Sequence, residues 1–272
     1  MIYLKSDRLE VQLLYPGEGY VESRFDWSGI IKQVILDGRH TFLSEESEEM
    51  TFNKTGGIGL ISSFEPAPAD GLFNMTGYIT DIIDDSSVKF IYEYLSNIKD
   101  KGLKFIKTVT VEGTSLAINH KIINLSDTYV KFGEYNHNFI LIDNHKVGAE
   151  YEINVPFTIK LTDVMAGKYN ILGISERKIG FEKGFENAKD DALIQIKGYE
   201  LCDCPYSWEI IYKPDGIRIR ETDDFEISKY QLWCNANTIC NEIFVERTLN
   251  ASGNAGDAFE WNRTYEFFKG NL

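Results

Sequence analysis

The stretch Phe132-Gly-Glu-Tyr-Asn-His-Asn-Phe-Ile-Leu-Ile-Asp143 sets polar, hydrogen-bonding side chains in the middle of what otherwise reads as a β-strand. Strand side chains alternate between faces. Tyr135, His137 and Phe139 therefore share one face, with Asn136 and Asn138 on the other. A histidine where Val or Ile would serve costs desolvation unless something compensates. Two readings of His137 stand side by side. It is a core or groove histidine satisfied by its neighbours, or a general acid or base held rigidly in a sugar-sized groove, since imidazole titrates nearest neutrality.

Outward from this stretch, short β-prone runs recur at 9–15, 29–36, 88–95, 104–111, 116–123, 129–143, 154–160, 193–198, 208–212, 217–221 and 238–249. Several alternate strictly, as in Lys104-Phe-Ile-Lys-Thr-Val-Thr-Val111, which is the period of a half-buried strand. Turn signals punctuate them: Pro16-Gly17, Asp37-Gly38, Glu112-Gly113-Thr114 and Pro214-Asp215-Gly216, the last closing a hairpin. Helical signals are few, with 182–189 the one candidate for a short helix. Gly56-Gly57-Ile58-Gly59 and Pro66-Ala67-Pro68 mark a long loop region. So many strands with so little helix predict sheets packed face to face. The expected fold is all-β, one large antiparallel β-sandwich forming a single domain over residues 1–272.

Composition narrows the function. Of 272 residues, 43% are hydrophobic and 13% aromatic, enough for a real core. A net charge of −14 argues against nucleic acid and against an anionic membrane surface, both of which call for clustered Lys and Arg. A neutral sugar is compatible with that charge. The first residues lack the apolar core of a signal peptide, and no apolar run approaches a membrane span, so a cytoplasmic protein is expected. Cys202, Cys204, Cys234 and Cys240 do not follow paired zinc spacing and read as free thiols with no metal expected, four thiolates that meet in space being the other reading.

A second feature lies near the C-terminus: Cys240-Asn-Glu-Ile-Phe-Val-Glu-Arg247, then a glycine-containing stretch, then Trp261-Asn-Arg-Thr-Tyr-Glu-Phe267. Among Cys240, Ile243 and Phe244, the Glu242 carboxylate is partly desolvated, which suits a base near neutral pH. A strand-end glutamate facing solvent or pairing with Arg247 is the other reading.

Together these segments resemble the aldose 1-epimerase (galactose mutarotase) superfamily. Leu116-Ala-Ile-Asn-His-Lys-Ile-Ile-Asn-Leu-Ser-Asp127 leading into 129–143 is similar to that family's hairpin and histidine strand. Glu242, the turn with Gly253 or Gly256, and 261–268 resemble its penultimate strand, turn and final aromatic strand. Ser23-Arg-Phe-Asp-Trp-Ser-Gly29 resembles the segment that opens the sandwich.

The resemblance implies a mutarotase-like sandwich that interconverts the anomers of a free sugar by ring opening and closing, without cofactor. It assigns the acid to His137 and the base to Glu242, and implies a monomer or homodimer. The family's first histidine, in a His-Gly-Gly context, is absent; Gly56-Gly-Ile-Gly-Leu-Ile-Ser-Ser-Phe-Glu65 stands there instead. Arg24 and Glu65 are the expected substitutes for its sugar contacts. The sugar-gripping aspartate falls on Asp191, with Asp203 as the other candidate. A phosphorylated sugar calls for a basic cluster that the sequence lacks. The same sandwich also allows a non-catalytic carbohydrate-binding or sensing protein, or a lyase or hydrolase, because fold does not fix function. His40, His120 and His145 read as surface residues.

Overall fold

The computed structural model describes residues 1–18, 28–44, 58–65, 75–95, 102–187, 189–254 and 256–270. Within them run twenty strands, numbered in chain order. β1 (Ile2–Lys5), β2 (Leu9–Leu13), β3 (Ile31–Leu36), β4 (His40–Thr41) and β5 (Ile58–Glu65) come first. β6 (Met75–Asp84), β7 (Ser87–Leu95), β8 (Gly102–Glu112), β9 (Ser115–Asn124) and β10 (Val130–Asn138) follow. β11 (Tyr151–Asn154), β12 (Lys160–Gly167), β13 (Leu172–Ile174), β14 (Lys178–Phe181) and β15 (Asp191–Lys197) form the next group. β16 (Tyr206–Tyr212), β17 (Ile217–Asp223), β18 (Lys229–Asn235), β19 (Thr238–Leu249) and β20 (Ala258–Lys269) complete the set.

The strands form two antiparallel sheets, as the alternation predicts. The first runs β1-β2-β3-β5-β10-β19-β18-β15-β12, with β4 on β3; the second runs β13-β14-β11-β16-β17-β20-β9-β8-β7-β6. Between them lies an apolar core that includes Phe42, Phe90, Phe132, Trp208, Trp261 and Phe267, each under 3% exposed. Ring contacts join the sheets: Phe132 to Trp261 at 5.3 Å, and Phe42 to Phe267 at 4.7 Å. Each such side chain contributes roughly 1.5–3 kcal/mol of burial.

Two connections place the site. The chain leaves β9 in the second sheet for β10 in the first, and later leaves β19 in the first for β20 in the second. Thus β10–β19 lie side by side in one sheet and β9–β20 side by side in the other. Asn124 ties both crossings together, its Nδ2 donating to Thr128 O and Asn250 O at 2.7 Å each. The expected hairpin between 116–127 and the histidine strand is therefore a sheet-to-sheet crossover.

Other expectations also change. Residues 182–187 form no helix, since Gly184 interrupts the charged run between Lys183 and Glu186. Helix among the described residues is confined to four three-residue 3₁₀ turns, one of which, Lys213–Asp215, closes the predicted hairpin. The run 154–160 is not one strand: β11 ends at Asn154 and β12 starts at Lys160, with Pro156, which cannot donate to a ladder, in between. The glycine-rich region after 56 is not all loop, because Ile58–Glu65 is β5 and pairs along β10. His40 and His120 are buried, His120 stacked on Trp261 at 5.0 Å; only His145 stays partly exposed.

Candidate active site

The site forms where two neighbouring strands part. The ladder between β10 and β19 runs from Val130↔Leu249 to Tyr135↔Phe244, breaks, and resumes as the isolated bridge Ile140↔Ile239. Side chains take over the peptide groups left in the gap. Asn136 Oδ1 accepts the Ile243 N–H at 2.8 Å, and Arg263 Nη2 donates to Ile243 O at 2.9 Å. Buried peptide groups need such partners, so the opening is stabilised rather than frayed.

On the face turned away from the second sheet, His137 and Glu242 meet in this gap. His137 Nε2 lies 3.5 Å from Glu242 Oε1, with 6% and 8% of the two side chains exposed. Gln231 Nε2 on β18 donates to Glu242 Oε2 at 2.9 Å. Aromatic rings surround the imidazole: Phe139 at 4.6 Å, Trp233 at 5.7 Å and Tyr135 at 6.3 Å. Phe244 stacks on Tyr135 at 4.2 Å, and Lys229 Nζ sits 3.8 Å over the Phe244 ring. Burial lowers the Lys229 pKa, against the opposing pull of Glu242 and Glu246. Across β5, the residue in register with His137 is Gly59, which places no side chain beside the imidazole.

Such an arrangement suits proton transfer to and from a small ring. The apolar faces of the rings can pack on sugar C–H groups, and a histidine–carboxylate pair is chemically able to act as acid and base. His137, Cys240 and Glu242 also present ligand atoms within 4.8 Å of one another, the group among the described residues that could hold a metal. Burial, with Glu242 adding to it, pushes the Cys240 thiol well up.

Beneath the pair, on the core face, lies a charged network. Arg263 donates to Glu134 Oε1 at 2.7 Å and to Asp223 Oδ1 at 2.9 Å, and its Nη1 stands 3.7 Å from Glu221 Oε1. Asn136 Nδ2 donates to Glu221 Oε1 at 2.5 Å, while Asn138 Nδ2 reaches Glu221 Oε2 and Tyr265 Oη at 3.3 and 3.1 Å. One guanidinium thus faces three carboxyl groups. Burial, then the neighbouring Asp223, holds the Glu221 carboxyl well above the usual carboxylate range. Burial likewise pushes Asp223 up to about 7, against the pull of Arg263.

Raised carboxyl pKa values make the folded state bind more protons than the unfolded chain. Stability from this network is therefore full below about pH 4 and falls as pH rises through about 7. The slope is at most about 1.4 kcal/mol per pH unit for each proton held. Glu221→Gln, a neutral isostere, should flatten this decline and gain on the wild type at pH 8. Urea titrations of both proteins from pH 5 to 8 check this, and parallel stability curves would contradict it.

The sequence-predicted residues are only partly gathered. His137 and Glu242 come together. Asp191 opens β15 and accepts the Trp233 indole N–H at 3.0 Å, so it reaches the site through that ring. Asp203 lies in the connection from β15 to β16 and is exposed. Glu65 pairs with Lys131, six residues along the ladder from Gly59↔His137, which at the rise of a strand is roughly 20 Å away. The register therefore does not bring Glu65 to the pair. Arg24, with Phe25 and Trp27, lies outside the described residues.

Lys229, Gln231, Asn136 and Arg263 were not singled out as site residues, though each left a signal. In Lys229-Tyr-Gln-Leu-Trp-Cys-Asn235 the residues Tyr230, Leu232 and Cys234 are buried and alternate with the partly exposed Lys229, Gln231 and Trp233. In β17 the inward phase Ile217, Ile219 continues as Glu221, Asp223, and in β20 Arg263 falls in the phase of Trp261, Tyr265 and Phe267. Charge in a core phase marks a buried network.

A separate polar cleft of about 420 Å³, lined by residues that include Arg39, His40, Asp143 and Lys269, shares none with the pair. Its His40 Nδ1–Asp143 Oδ2 contact of 2.7 Å anchors a turn in which Asp143 and Asn144 adopt positive φ of 48° and 58°.

By sequence the chain matches no family model and no curated relative. By structure it is similar to a galactose mutarotase related enzyme from Lactobacillus acidophilus, at 10% identity and TM-score 0.61, over 99% of this chain and 97% of the other. A galactose mutarotase-like protein from Lactobacillus casei gives 11% identity and TM-score 0.62, over 98% and 100%. An aldose epimerase homologue from C. elegans gives 14% and 0.57, over 99% of both chains. The chain has the galactose mutarotase-like sandwich fold. No helix among the described residues is long and apolar enough to cross a membrane.

Proposed function

We propose that this protein is an aldose 1-epimerase-like enzyme that interconverts the anomers of a free sugar. The observation that carries the reading is the 3.5 Å approach of His137 Nε2 to Glu242 Oε1, both side chains largely desolvated and set beside the Phe139 and Trp233 rings. A hemiacetal carbon bears both its hydroxyl and its ring oxygen, so an acid and a base serving them must stand only a few ångström apart. Glu242 takes the proton of the C1 hydroxyl while His137 protonates the ring oxygen, and the ring opens to the aldehyde. Rotation about C1–C2 presents the other carbonyl face. Closure then reverses the two roles, so that the net reaction exchanges anomers and consumes nothing. Gln231 donates to the second carboxylate oxygen of Glu242, and Asp191 orients the Trp233 ring against the substrate.

Exchange of anomeric protons by NMR, measured across a panel of aldoses, tests this reading. The enzyme accelerates exchange of at least one sugar above the buffer rate. Binding of a sugar without acceleration would instead favour the carbohydrate-binding protein on the same fold.

A further inference from the structure

The alternation of β10 puts Asn136 directly beneath His137, and the two faces of the sheet are connected through one peptide. Ile243 follows Glu242, and its N–H and C=O point into the gap where the β10–β19 ladder is broken. An intact ladder would fill that gap with the backbone of residue 136. Here the N–H goes to the Asn136 amide oxygen and the C=O to the Arg263 guanidinium, groups from the buried face. Both are themselves fixed: Asn136 by Glu221 at 2.5 Å, and Arg263 by Glu134 at 2.7 Å and Asp223 at 2.9 Å. Asn136 is 0% exposed and Arg263 1%, so neither touches a ligand on the far face.

We infer that Asn136 and Arg263 are positioning residues for the acid–base pair. Through the Ile243 peptide they hold β19 apart from β10 and set the place of the Glu242 carboxylate relative to His137. This rests on the acid–base reading above and adds residues that contact no substrate. Loss of the Asn136 side chain leaves the Ile243 N–H to seek the β10 backbone, closing the gap and moving the carboxylate. Displacements of about 1 Å in a catalytic group can cost on the order of 100-fold in rate.

The test compares Asn136→Ala with Asn136→Asp, which keeps the acceptor for Ile243, and with Tyr151→Phe. Tyr151 is a buried tyrosine of β11 whose hydroxyl accepts the Ile142 N–H at 3.0 Å and donates to His145 O at 2.9 Å. Tyr151→Phe should lower the melting temperature while leaving kcat unchanged. Asn136→Ala should lower kcat by roughly 10–100-fold with KM within about twofold, and Asn136→Asp, which keeps the acceptor for Ile243 but loses the donor to Glu221, should recover part of the loss. Asn136→Ser, too short to reach Ile243, replaces Asn136→Ala if the latter does not fold. A wild-type kcat in Asn136→Ala or Asn136→Ser would overturn the inference. So would a parallel loss of kcat in Tyr151→Phe.

A readout independent of turnover separates this inference from the enzyme reading. The titration curve of the His137 imidazole, followed by NMR, should move in Asn136→Ala and stay in place in Tyr151→Phe. If no sugar is turned over, the epimerase reading fails, and this curve alone decides the positioning role. An unmoved curve overturns it.

Discussion

Glu242→Gln and His137→Asn should each slow anomer exchange by roughly 10²–10⁴-fold, the range for removal of a positioned proton-transfer group. Sugar binding should persist in both. Glutamine keeps the shape of Glu242 and retains a contact with Gln231, but cannot take the C1 hydroxyl proton. Asparagine at 137 keeps a polar group beside Phe139 and Trp233 but cannot protonate the ring oxygen. Because the proposed mechanism has the two groups act at one carbon in one step, their losses should not multiply. The double variant should be little slower than the slower single variant. Progress curves at saturating sugar, with binding measured by calorimetry, check both halves. A rate like the wild type in either single variant would remove that residue from the mechanism.

Arg263→Met should destabilise the fold by about 3–5 kcal/mol, the usual penalty for removing one partner of a buried charge group. The guanidinium is 1% exposed and touches Glu134, Asp223 and the Ile243 carbonyl, in a space that holds two further acceptors, Glu221 and Tyr265. Methionine fills part of the volume and answers none of these groups. The carboxyls can take up protons in compensation, so the deficit should be smallest at acid pH and grow toward pH 8, in line with the raised pKa values of Glu221 and Asp223. Urea unfolding at pH 5 and pH 8 measures both effects. A loss below about 1 kcal/mol at pH 8 would mean that the network contributes little to the fold.

Much of this architecture was legible in the chain because the governing period is local. Strict alternation in 104–111 and 115–122 needs no partner strand to be recognised, and each run is a strand in the structure. The Asn136-His137-Asn138 triplet likewise announced its two faces. The sheet to which each strand belongs was not legible. β9 and β10 are consecutive and read as a hairpin, yet Asn124 and Ser126 turn the chain into the other sheet. Glycines hid β5, since Gly56, Gly57 and Gly59 suggest a loop when the β10 ladder that organises Ile58–Glu65 is out of view.

For the site, single residues were legible and their company was not. His137 and Glu242 stood out as polar residues in apolar strands, but their proximity depends on the register of β10 against β19, strands 105 residues apart in numbering at that point. Glu65 seemed a plausible sugar contact by chain position, and only the register showed it six residues down the ladder. The Arg263 network draws on β10, β17 and β20, so no single segment carries it.

The central claim is that His137 and Glu242 serve one anomeric carbon, and crystals soaked in a panel of monosaccharides test it most directly. The account predicts one sugar ordered with its C1 hydroxyl on the Glu242 carboxylate, its ring oxygen facing His137 Nε2, and a C–H face against the surrounding rings. A sugar ordered on another surface, with none at His137 and Glu242, would contradict it.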